Sequence, residues 1–468
     1  MAARVRKVAV VGGGITGLTA AYYLQKQSKE QGVELEVTLI EATHRLGGKV
    51  QTLRKDGFVI ERGPDSFLSR KKSINRLARD LGIEDRLIRN STGKTSIAVE
   101  NHLHPLPPGS VMGVPTVFSP FLTSSLCSWS GKLRVAGDFI LPQSLAEDED
   151  QPLGRFLRRR FGNEMVENVM EPLFSGVYAG DIDKLSLHST FPELGNTEQK
   201  QRSLIRGLRK NRTVEQMGFD TESKSLFQTF DGGLSTLIYA LEKELADCKV
   251  LKNIKVMAVE KSGDQVLLNL NNGSSVLADE VVFAIPHKHA QPLFEPFGLL
   301  ENVKDMPSTS IATISMAFSG EQVRDTSELN GFVVARNSDL VITACSMAHR
   351  KWPSLTPEGK KLFRTFIGRV GDEAIVDLSD TEIEKMVLAD LKKSLGVEAT
   401  PEFTVVSRWK HAMPQYLVGH KERIAETKKE MQQVFPMIQL AGGSYDGFAL
   451  PDCVEQGMAA ANRILARC

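Results

Sequence analysis

The sequence predicts an α/β protein with a parallel sheet, and three observations in its first 41 residues support this prediction. The run VAVV at Val8–Val11 is apolar throughout, as expected of a strand that is buried on both faces. Glycines follow in G-x-G-x-x-G spacing, and the chain continues into ITGLTAAYYLQKQ, which has helical periodicity. A second strand, LEVTLIEA, reaches Glu41, 24 residues after Gly17. This order of elements opens a Rossmann-like dinucleotide-binding domain.

The glycines of the first turn have separate predicted tasks. Gly12 permits a tight turn, Gly14 lets the backbone approach a pyrophosphate, and Gly17 allows the helix to pack closely on the strand. The amides that open the helix attract phosphates. The predicted phosphate-binding residues are Gly12, Gly13, Gly14, Ile15, Thr16 and Gly17. The Glu41 carboxylate, with Ala42 beside it, is expected to accept hydrogen bonds from ribose hydroxyls.

Composition excludes several classes of function. Lys plus Arg (58) nearly balances Asp plus Glu (57), so no overall basic field favours nucleic acid. The five cysteines are far apart and never form CxxC, which argues against a disulfide framework and for a reducing, cytoplasmic location. The pairs His102/His104 and His287/His289 would each share one face of a strand, but neither has a nearby third ligand. We therefore predict no metal site.

The longest stretch without Asp, Glu, Lys or Arg runs from Asn101 to Gly131. A membrane span needs about 20 mostly apolar residues in a helix. This stretch instead contains five prolines, so it cannot form one continuous helix. It could rest on a membrane surface or line an apolar passage, but it is not expected to span a bilayer.

After Glu41 the chain reads ATHRLGGKVQTLRKDGFVIERGPDSF. The pattern E-x-x-x-R-x-G-G, then D-G-F, then E-x-G-P resembles the extended flavin fingerprint of the amine oxidase and desaturase superfamily. The resemblance implies FAD, which is expected to be noncovalent because the covalent-flavin cysteine of the superfamily lies in a different local context from Cys453. The resemblance assigns to the cofactor, in this stretch, Arg45, Gly48, Lys49, Gly63, Pro64, Asp65 and Ser66.

The C-terminal stretch PMIQLAGGSYDGFALPDCVEQGMAAANRIL reads as an apolar strand, a Gly442-Gly443 turn and a helix from about Asp452. In the superfamily this segment returns to the first one, and its helix faces the flavin ring. The segment NIKVMAVEKSGDQVLLNLNNGSSVLADEVVFAIP reads as strands joined by turns, and analogous hairpins lie beside the adenine. The residues that the resemblance adds to the cofactor site are Val256, Trp409, Gly443, Phe448, Ala449 and Leu450.

The FAD-binding domain is thus predicted to be discontinuous. Its pieces are residues 1–65, 226–292 and 418–468. Residues 68–200 are mostly helical in pattern and form an insert that faces a membrane or a partner. Residues 293–417 mix strands with helices, which suggests a mixed-sheet substrate-binding domain that covers the flavin. The two inserts together are therefore predicted to be of the α+β class. The polar segment 205–225 is predicted to be a mobile loop.

Three further segments indicate the branch of the superfamily. They are ERGPDSFLSRKKSINRLARDLGI (61–83), SGVYAGDIDKLSLHSTFPEL (175–194) and SRWKHAMPQYLVGH (407–420). All three resemble the protoporphyrinogen oxidase family, most closely its soluble type in Gram-positive bacteria. The resemblance implies oxidation of coproporphyrinogen III to coproporphyrin III, and of protoporphyrinogen IX to protoporphyrin IX, in haem biosynthesis. It also implies hydride transfer to the flavin and reoxidation by dioxygen, which yields hydrogen peroxide, so we assign no side chain a catalytic role.

A porphyrinogen site needs a flat apolar slot and cations for carboxylates. Lys71, after the GPDSF loop, is the predicted propionate contact, and Val177 and Phe332 are the predicted walls of the slot. Asp65 stands about where plant and animal relatives tend to place a basic residue. Because a carboxylate beside substrate propionates would repel them, we expect the propionate contacts to differ from those of these relatives. The run Arg158–Arg160 is expected to be a solvated helix face.

Two alternatives remain beside this function. One is a different flavin oxidase or desaturase that acts on amines or polyenes. An amine oxidase is expected to pair two aromatic rings around the amine, and Tyr445 is the only tyrosine that the sequence places near the C-terminal flavin segment. The other is a flavin-bearing tetrapyrrole carrier without catalysis. Nothing in the sequence excludes a hand-off of porphyrin to the next enzyme in addition to catalysis.

Overall fold

The computed structural model describes residues 5–143, 149–210, 226–323 and 328–467. One sheet has five strands, and all its neighbouring strands are parallel. In spatial order its strands are Lys249–Lys252, Leu35–Glu41, Arg6–Val11, Glu280–Phe283 and Ile438–Leu440. Its strands come from the first, middle and last parts of the chain, which confirms the α/β class and the Rossmann-like opening.

Both faces of the parallel sheet are covered, because alternate residues of the first strand enter different cores. Val8 and Val10 belong to one hydrophobic core. Ala9 and Val11 belong to another. Helices that contribute to the first core are Ile15–Gln31, Ser73–Asp80, Ser235–Glu244 and Leu450–Leu465, and those of the second are His287–Phe294 and His420–Val434.

The predicted hairpins after residue 253 form a separate antiparallel sheet of Val256–Ser262, Gln265–Leu270 and Ser275–Ala278. Its two turns contain Gly263 and Gly273, whose φ angles of +61° and +81° favour glycine. Smaller antiparallel sheets pair Thr52–Lys55 with Phe58–Glu61, Ser110–Val111 with Val114–Pro115, and Phe227–Phe230 with Phe67–Leu68 and Leu87–Arg89.

A mixed seven-stranded sheet forms a second large unit. In spatial order its strands are Phe403–Pro414, Ser308–Ser319, Lys360–Ile367, Ala344–Met347, Leu329–Val334, Lys94–Val99 and His102–Pro105. The helix Asp380–Leu395 packs on one face of this sheet. Strands were predicted in this part of the chain, and the structure confirms them.

Two strands of that sheet come from the segment predicted to be mostly helical. The hairpin Lys94–Val99 and His102–Pro105 turns at Glu100 and Asn101, whose φ angles are +49° and +69°. Two positive φ angles in a two-residue loop match the right-handed twist of the flanking strands. This hairpin is the main departure from the helical pattern expected for residues 68–200.

The remainder of that insert is largely helical. Its further helices are Phe118–Thr123, Trp129–Ala136, Leu153–Phe161, Asn163–Met165, Glu171–Tyr178, Leu187–Thr190 and Pro192–Gln201, with a π-helical turn at Val166–Met170. The helix Leu204–Lys210 follows the insert. Across the described ranges, no helix is long and apolar enough to cross a bilayer. The loop predicted at 205–225 begins inside a helix, and its part from 211 to 225 lies outside the described residues.

One cation of the run Arg158–Arg160 is buried rather than solvated. Arg160 is fully buried, and its guanidinium forms ion pairs with Glu198 and with Asp138, the latter at 3.2 Å. The helix turns Arg160 onto the same face as the buried Phe156, four residues earlier. The expected solvated face is therefore wrong for this residue.

The histidine pairs behave differently from each other. His102 and His104 lie on one strand, as predicted. His287 and His289 lie instead in the first turn of the helix His287–Phe294, where residues two apart do not face each other. The buried His287 ring contacts the Ser444 hydroxyl at 3.1 Å and the Met306 carbonyl at 3.1 Å.

Candidate functional site

The first site element is the turn between the first strand and its helix. Gly12 has a φ angle of +108°, which favours glycine. A β-carbon on Gly17 would lie 1.9 Å from the Gly12 carbonyl oxygen, so only glycine allows this close approach of helix to strand. A β-carbon on Gly14, in contrast, would meet no protein atom within 4 Å. The turn thus leaves open space directly over the backbone at Gly14.

Glu41 ends the second strand and is fixed against this turn. One carboxylate oxygen accepts a hydrogen bond from the Gly13 amide at 2.7 Å. The other accepts from the Thr43 amide at 2.8 Å and the Thr43 hydroxyl at 2.7 Å. The neighbouring Ala42 side chain is exposed. Ile254, two residues before Val256, donates its amide to the Glu41 carbonyl at 3.0 Å.

The loop after Glu41 packs directly onto the glycine turn. The Gly47 amide donates to the Gly13 carbonyl at 2.8 Å, and a β-carbon on Gly48 would lie 3.1 Å from the Gly14 α-carbon. The Arg45 guanidinium donates to the Gly48 carbonyl at 2.6 Å. Burial lowers the pKa of this guanidinium, with a further contribution from nearby Arg62. The Arg45 guanidinium therefore donates hydrogen bonds to carbonyls of its own loop and stabilises the loop in contact with the turn.

Lys49 follows in the same loop and reaches a strand of the seven-stranded sheet. Its ammonium donates to the Ala412 carbonyl at the end of the longest strand pair. Burial lowers the pKa of Lys49, and the cation of Lys288 lowers it further. The side chain is nevertheless accessible at its surface. Lys49 therefore connects this loop to the strand Phe403–Pro414.

The segment Gly63–Ser66 lies against this loop and the seven-stranded sheet. A β-carbon on Gly63 would lie 1.9 Å from the Lys49 carbonyl oxygen and 3.3 Å from the Trp409 ring. The Trp409 indole donates to the Arg62 carbonyl at 2.7 Å. Gly63 therefore has to be glycine for the two segments to touch. The half-buried Pro64 follows it.

Asp65 is neutralised by two cations from distant strands and helices. Its carboxylate lies 2.8 Å from the Lys351 ammonium and 3.9 Å from the Arg364 guanidinium, and it accepts from the Ser66 hydroxyl at 2.7 Å. Burial alone would raise the pKa of Asp65, but Lys351 and Arg364 hold it well below its usual range. These two cations compensate the charge of Asp65 and so weaken the repulsion that a bare carboxylate would exert on substrate carboxylates. The expected difference in propionate contacts stays a prediction.

The C-terminal segment closes the site from the other end of the chain. Gly442 has a φ angle of +113°, and its position lies beside the Thr16 hydroxyl. A β-carbon on Gly457 would lie 2.4 Å from the Thr16 carbonyl oxygen, so the last helix crosses the first one in contact. Gly443 accepts a hydrogen bond from the Tyr416 hydroxyl at 2.8 Å.

The predicted contacts Phe448, Ala449 and Leu450 lie at the start of that last helix, Leu450–Leu465, which begins two residues before the predicted position. All three are half-buried. Cys453 is buried in the same helix, and burial raises the pKa of its thiol to about 11.

Two tyrosines pack against Phe448. The Tyr178 ring lies edge-on to the Phe448 ring at 4.8 Å, and the Tyr416 ring lies at 6.0 Å. The expectation that Tyr445 is the only tyrosine near this segment is therefore wrong, because both rings arrive from other parts of the chain. Tyr178 and Tyr416 are buried, and Tyr416 stacks on the His420 ring at 4.0 Å.

The two predicted slot walls lie in different surroundings. Val177 is 42% exposed near the end of the helix Glu171–Tyr178. Phe332 is only 2% exposed and belongs to the core beneath the helix Asp380–Leu395. Its position does not match a slot wall, because its side chain points to the helix-covered face of the sheet. Val333, the next residue, points the other way, and its side chain would lie 3.8 Å from a β-carbon on Gly176.

Lys71 is close to the C-terminal segment but is not a free cation. Its ammonium forms an ion pair with the Asp452 carboxylate, in the first turn of the last helix. The Ser73 hydroxyl donates to the Pro451 carbonyl at 2.7 Å and ties the same two segments together. Any carboxylate that binds Lys71 therefore meets a lysine that already has a partner.

Sequence reasoning missed several residues of this site. The additional site residues are Tyr178, Lys351, Arg364, Tyr416, Asp452 and Gly457. A single cation or aromatic residue has no recognisable local pattern, so the sequence does not indicate which residues it contacts. For Tyr178, Lys351 and Arg364 those partners are more than 250 residues away. Asp452 is the exception, because an acidic residue in the first turn of a helix is a recognisable position.

Comparison with known proteins agrees with this arrangement. Residues 15–465 match the family described as flavin containing amine oxidoreductase. A coproporphyrinogen III oxidase from Bacillus subtilis (strain 168) is 49% identical over 461 residues, which cover 98% of this chain and 98% of that protein. A protein of the same name from Staphylococcus aureus (strain NCTC 8325 / PS 47) is 40% identical over 466 residues, which cover 98% and 99%.

A solved structure gives the same result for the fold. It comes from Exiguobacterium sp. 255-15 and is named provisionally as a protoporphyrinogen oxidase. The two chains superpose with a TM-score of 0.89 at 36% identity, and the match covers 99% of this chain and 100% of the other. The chain therefore belongs to the flavin containing amine oxidoreductase family, and within it to the branch of its porphyrinogen oxidase relatives.

Proposed function

We propose that this protein oxidises coproporphyrinogen III to coproporphyrin III, and also protoporphyrinogen IX to protoporphyrin IX, with dioxygen as the electron acceptor. One observation supports the binding of flavin. The glycine turn, Glu41 and the segment after Gly442 come together around the open space at Gly14. The substrate rests on the full-length similarity to two proteins named coproporphyrinogen III oxidase. Each porphyrinogen loses six electrons and six protons, which reduce three dioxygen molecules to hydrogen peroxide.

The residues present fit FAD. The amides at the start of the helix Ile15–Gln31 point into the space that Gly14 leaves free, and this is a favourable place for a pyrophosphate. The Glu41 carboxylate lies beside it for the ribose hydroxyls, and the segment before Val256 borders the same end of the strand. When bound, FAD would accept hydride from the substrate and pass the electrons to dioxygen.

We further propose that FAD is held without a covalent bond. The only cysteine in the C-terminal flavin segment within the described residues is Cys453, whose thiol is buried. Because burial raises its pKa to about 11, the thiol is neutral at physiological pH and a poor nucleophile. Denaturation should therefore release the flavin into the supernatant.

The protein side of this reaction is binding, orientation and exclusion of water. We propose Val177 and Val333 as walls of the slot, since Val177 follows Gly176 near the end of its helix and the Val333 side chain, on a strand, lies near the space beside Gly176. Lys71 is the proposed carboxylate contact, at the side of the slot where Tyr178 packs on Phe448. No side-chain acid or base is required, and we propose none.

An oxidase of amines is the less favoured alternative. Tyr178 and Tyr416 do lie near Phe448, but Tyr416 stacks on His420 and both rings are buried, so they do not form an open pair. Coproporphyrinogen III, a polyamine and a carotenoid precursor can be compared as anaerobic reductants. Bleaching of the flavin by the porphyrinogen alone is the expected result.

The function itself is tested with purified protein and coproporphyrinogen III in air. A fluorescent porphyrin should form while dioxygen is consumed, and mass spectrometry should identify coproporphyrin III. A fluorescence gain no faster than autoxidation would refute the proposal. Tight porphyrin binding without turnover would instead favour the carrier alternative.

The cytoplasmic location, the contact with a membrane surface or partner, and the hand-off of porphyrin to the next enzyme stay predictions. The structure indicates where a contact can be tested, because Trp129, Leu133 and Ile140 are large apolar side chains that are each more than two-thirds exposed. Replacing these three by serine, and measuring vesicle binding and porphyrin transfer, separates the alternatives.

A further inference from the structure

The ion pair of Lys71 and Asp452 connects two segments that border the proposed slot. Asp452 lies in the first turn of the helix Leu450–Leu465, where the helix dipole favours a negative charge. The two side chains are 39% and 22% exposed, so a ligand can reach the pair from solvent. The hydrogen bond from Ser73 to the Pro451 carbonyl holds the backbone of both segments in place.

Arg70, the residue before Lys71, forms a second ion pair. The Arg70 guanidinium lies 3.7 Å from the Glu193 carboxylate, at the start of the helix Pro192–Gln201. Burial raises the pKa of the Tyr178 phenol, and the carboxylates of Asp452 and Glu193 raise it further. These are the carboxylates that pair with Lys71 and Arg70, and the Tyr178 ring packs on Phe448. Residues 70 and 71 reach one carboxylate each beside Tyr178.

A carboxylate ligand that approaches Lys71 finds its ammonium group already paired with Asp452. An ammonium group has three donors and can contact two carboxylates at once. The second carboxylate, however, is attracted by a cation that the first has already neutralised, and the two anions repel each other. A carboxylate ligand must share Lys71 with Asp452 or displace it, and both cost affinity.

We propose that Asp452 is an internal competitor for Lys71, which weakens the binding of porphyrin carboxylates at that lysine and so speeds release of the product. The proposal rests on the proposed function, because it takes a carboxylate-bearing porphyrin as the ligand. It makes Asp452 a residue that sets affinity, without contact to the reacting carbons. A negative charge at a helix N-terminus stabilises the fold. Asp452 therefore lowers the affinity for the ligand without lowering the stability of the protein.

The test is a double-mutant cycle on the binding of coproporphyrin III to the flavin-loaded protein, without turnover. The proteins are the wild type, Asp452→Asn, Lys71→Met and the double variant, and the dissociation constant is measured by porphyrin fluorescence. Asp452→Asn should tighten binding about threefold, as expected for a partly exposed ion pair. Lys71→Met should weaken binding, and Asp452→Asn should give no tightening in the Lys71→Met background.

Glu193→Gln is the matched control, because it removes the carboxylate that pairs with Arg70 instead. Its effect on the dissociation constant should add to that of Lys71→Met rather than vanish. Flavin content and melting temperature are compared for every variant. Asp452→Ser keeps a polar side chain near the helix N-terminus without the charge, and it should reproduce the tighter binding if Asp452→Asn folds poorly.

Three results would overturn the proposal. Binding that is unchanged or weaker in both Asp452 variants would show that Asp452 does not compete. Equal tightening with and without Lys71 would show that Asp452 acts on the ligand directly. If the wild type does not bind coproporphyrin, Asp452 has no porphyrin carboxylate with which to compete, and the proposal fails. A protein that binds coproporphyrin as expected but does not oxidise coproporphyrinogen III would refute the function and leave this inference standing.

Discussion

The carbonyl oxygen of Thr16 lies 2.4 Å from the point that a β-carbon of Gly457 would occupy. Thr16 is in the first helix of the chain and Gly457 is in the last, so the two helices touch at backbone level. This contact holds the Gly442 turn beside the glycine turn and brings both ends of the chain to one cofactor site.

Gly457→Ala is therefore predicted to destabilise the fold. The added methyl group must push one backbone away from the other, which typically costs about 1–3 kcal/mol in free energy of unfolding. Gly176→Ala is the matched control, because that helical glycine meets a single atom at 3.8 Å and should be neutral or slightly stabilising. Urea denaturation of both variants checks this, and equal stabilities would contradict the contact.

Gly14→Val is predicted to lose flavin while keeping its fold. A side chain there meets no protein atom near its β-carbon, so it would occupy the space proposed for the pyrophosphate. Flavin absorbance per protein should fall to background, while circular dichroism stays close to that of the wild type. A folded variant with full yellow colour would place the cofactor elsewhere.

The free energy of unfolding should decline as the pH rises, because the carboxyl group of Glu61 is buried. Burial raises the pKa of this carboxyl to about 7, while it accepts hydrogen bonds from the Leu234 amide and the Thr52 hydroxyl. From about pH 4.5 to 7 the folded protein holds a proton that the unfolded chain releases. The free energy of unfolding therefore falls as pH rises through this range, by on the order of 3 kcal/mol for this group.

Glu61→Gln should remove that decline, because glutamine cannot ionise and still offers an oxygen to Leu234. Urea denaturation from pH 4.5 to 8 should give a flatter curve for the variant than for the wild type. Parallel curves would mean that Glu61 ionises normally.

The slot wall can be assigned by two neighbouring substitutions. Val333→Phe adds volume on the side of Gly176 and should raise KM for the porphyrinogen, with flavin content unchanged. Phe332→Leu removes volume from the core under the helix Asp380–Leu395 and should cost about 1 kcal/mol of stability, with KM unchanged. Steady-state kinetics and thermal unfolding of both variants measure this. The opposite pattern would restore Phe332 as the wall.

The parts of the site that the sequence predicted are those with a local pattern. The strand before Gly12 and the acid at Glu41 follow from periodicity and spacing, and the structure places them together. The partners of Asp65 could not be found, because Lys351 and Arg364 are single cations almost 300 residues away. Folding alone brings them to the same carboxylate.

Two further errors have different causes, since the spacing around Arg160 is informative and the alternation at Phe332 is not. Arg160 repeats the spacing of buried Phe156 on its helix, and this spacing indicates the core face for any residue. Phe332 and Val333 alternate across a strand, so only one of them can point toward Gly176. The sequence alone does not say which face of that strand a helix will cover.

The order of strands in the parallel sheet has a consequence for how the protein is made. Ribosomes produce Arg6–Val11 early, but its sheet lacks Ile438–Leu440 until almost the whole chain has been translated. A nascent chain that lacks this strand and the helix after it therefore has only part of the cofactor site, and Glu280–Phe283 is the edge strand of its sheet. Capture of the cofactor then requires synthesis through the helix Leu450–Leu465, because termination before that helix leaves the cofactor site incomplete.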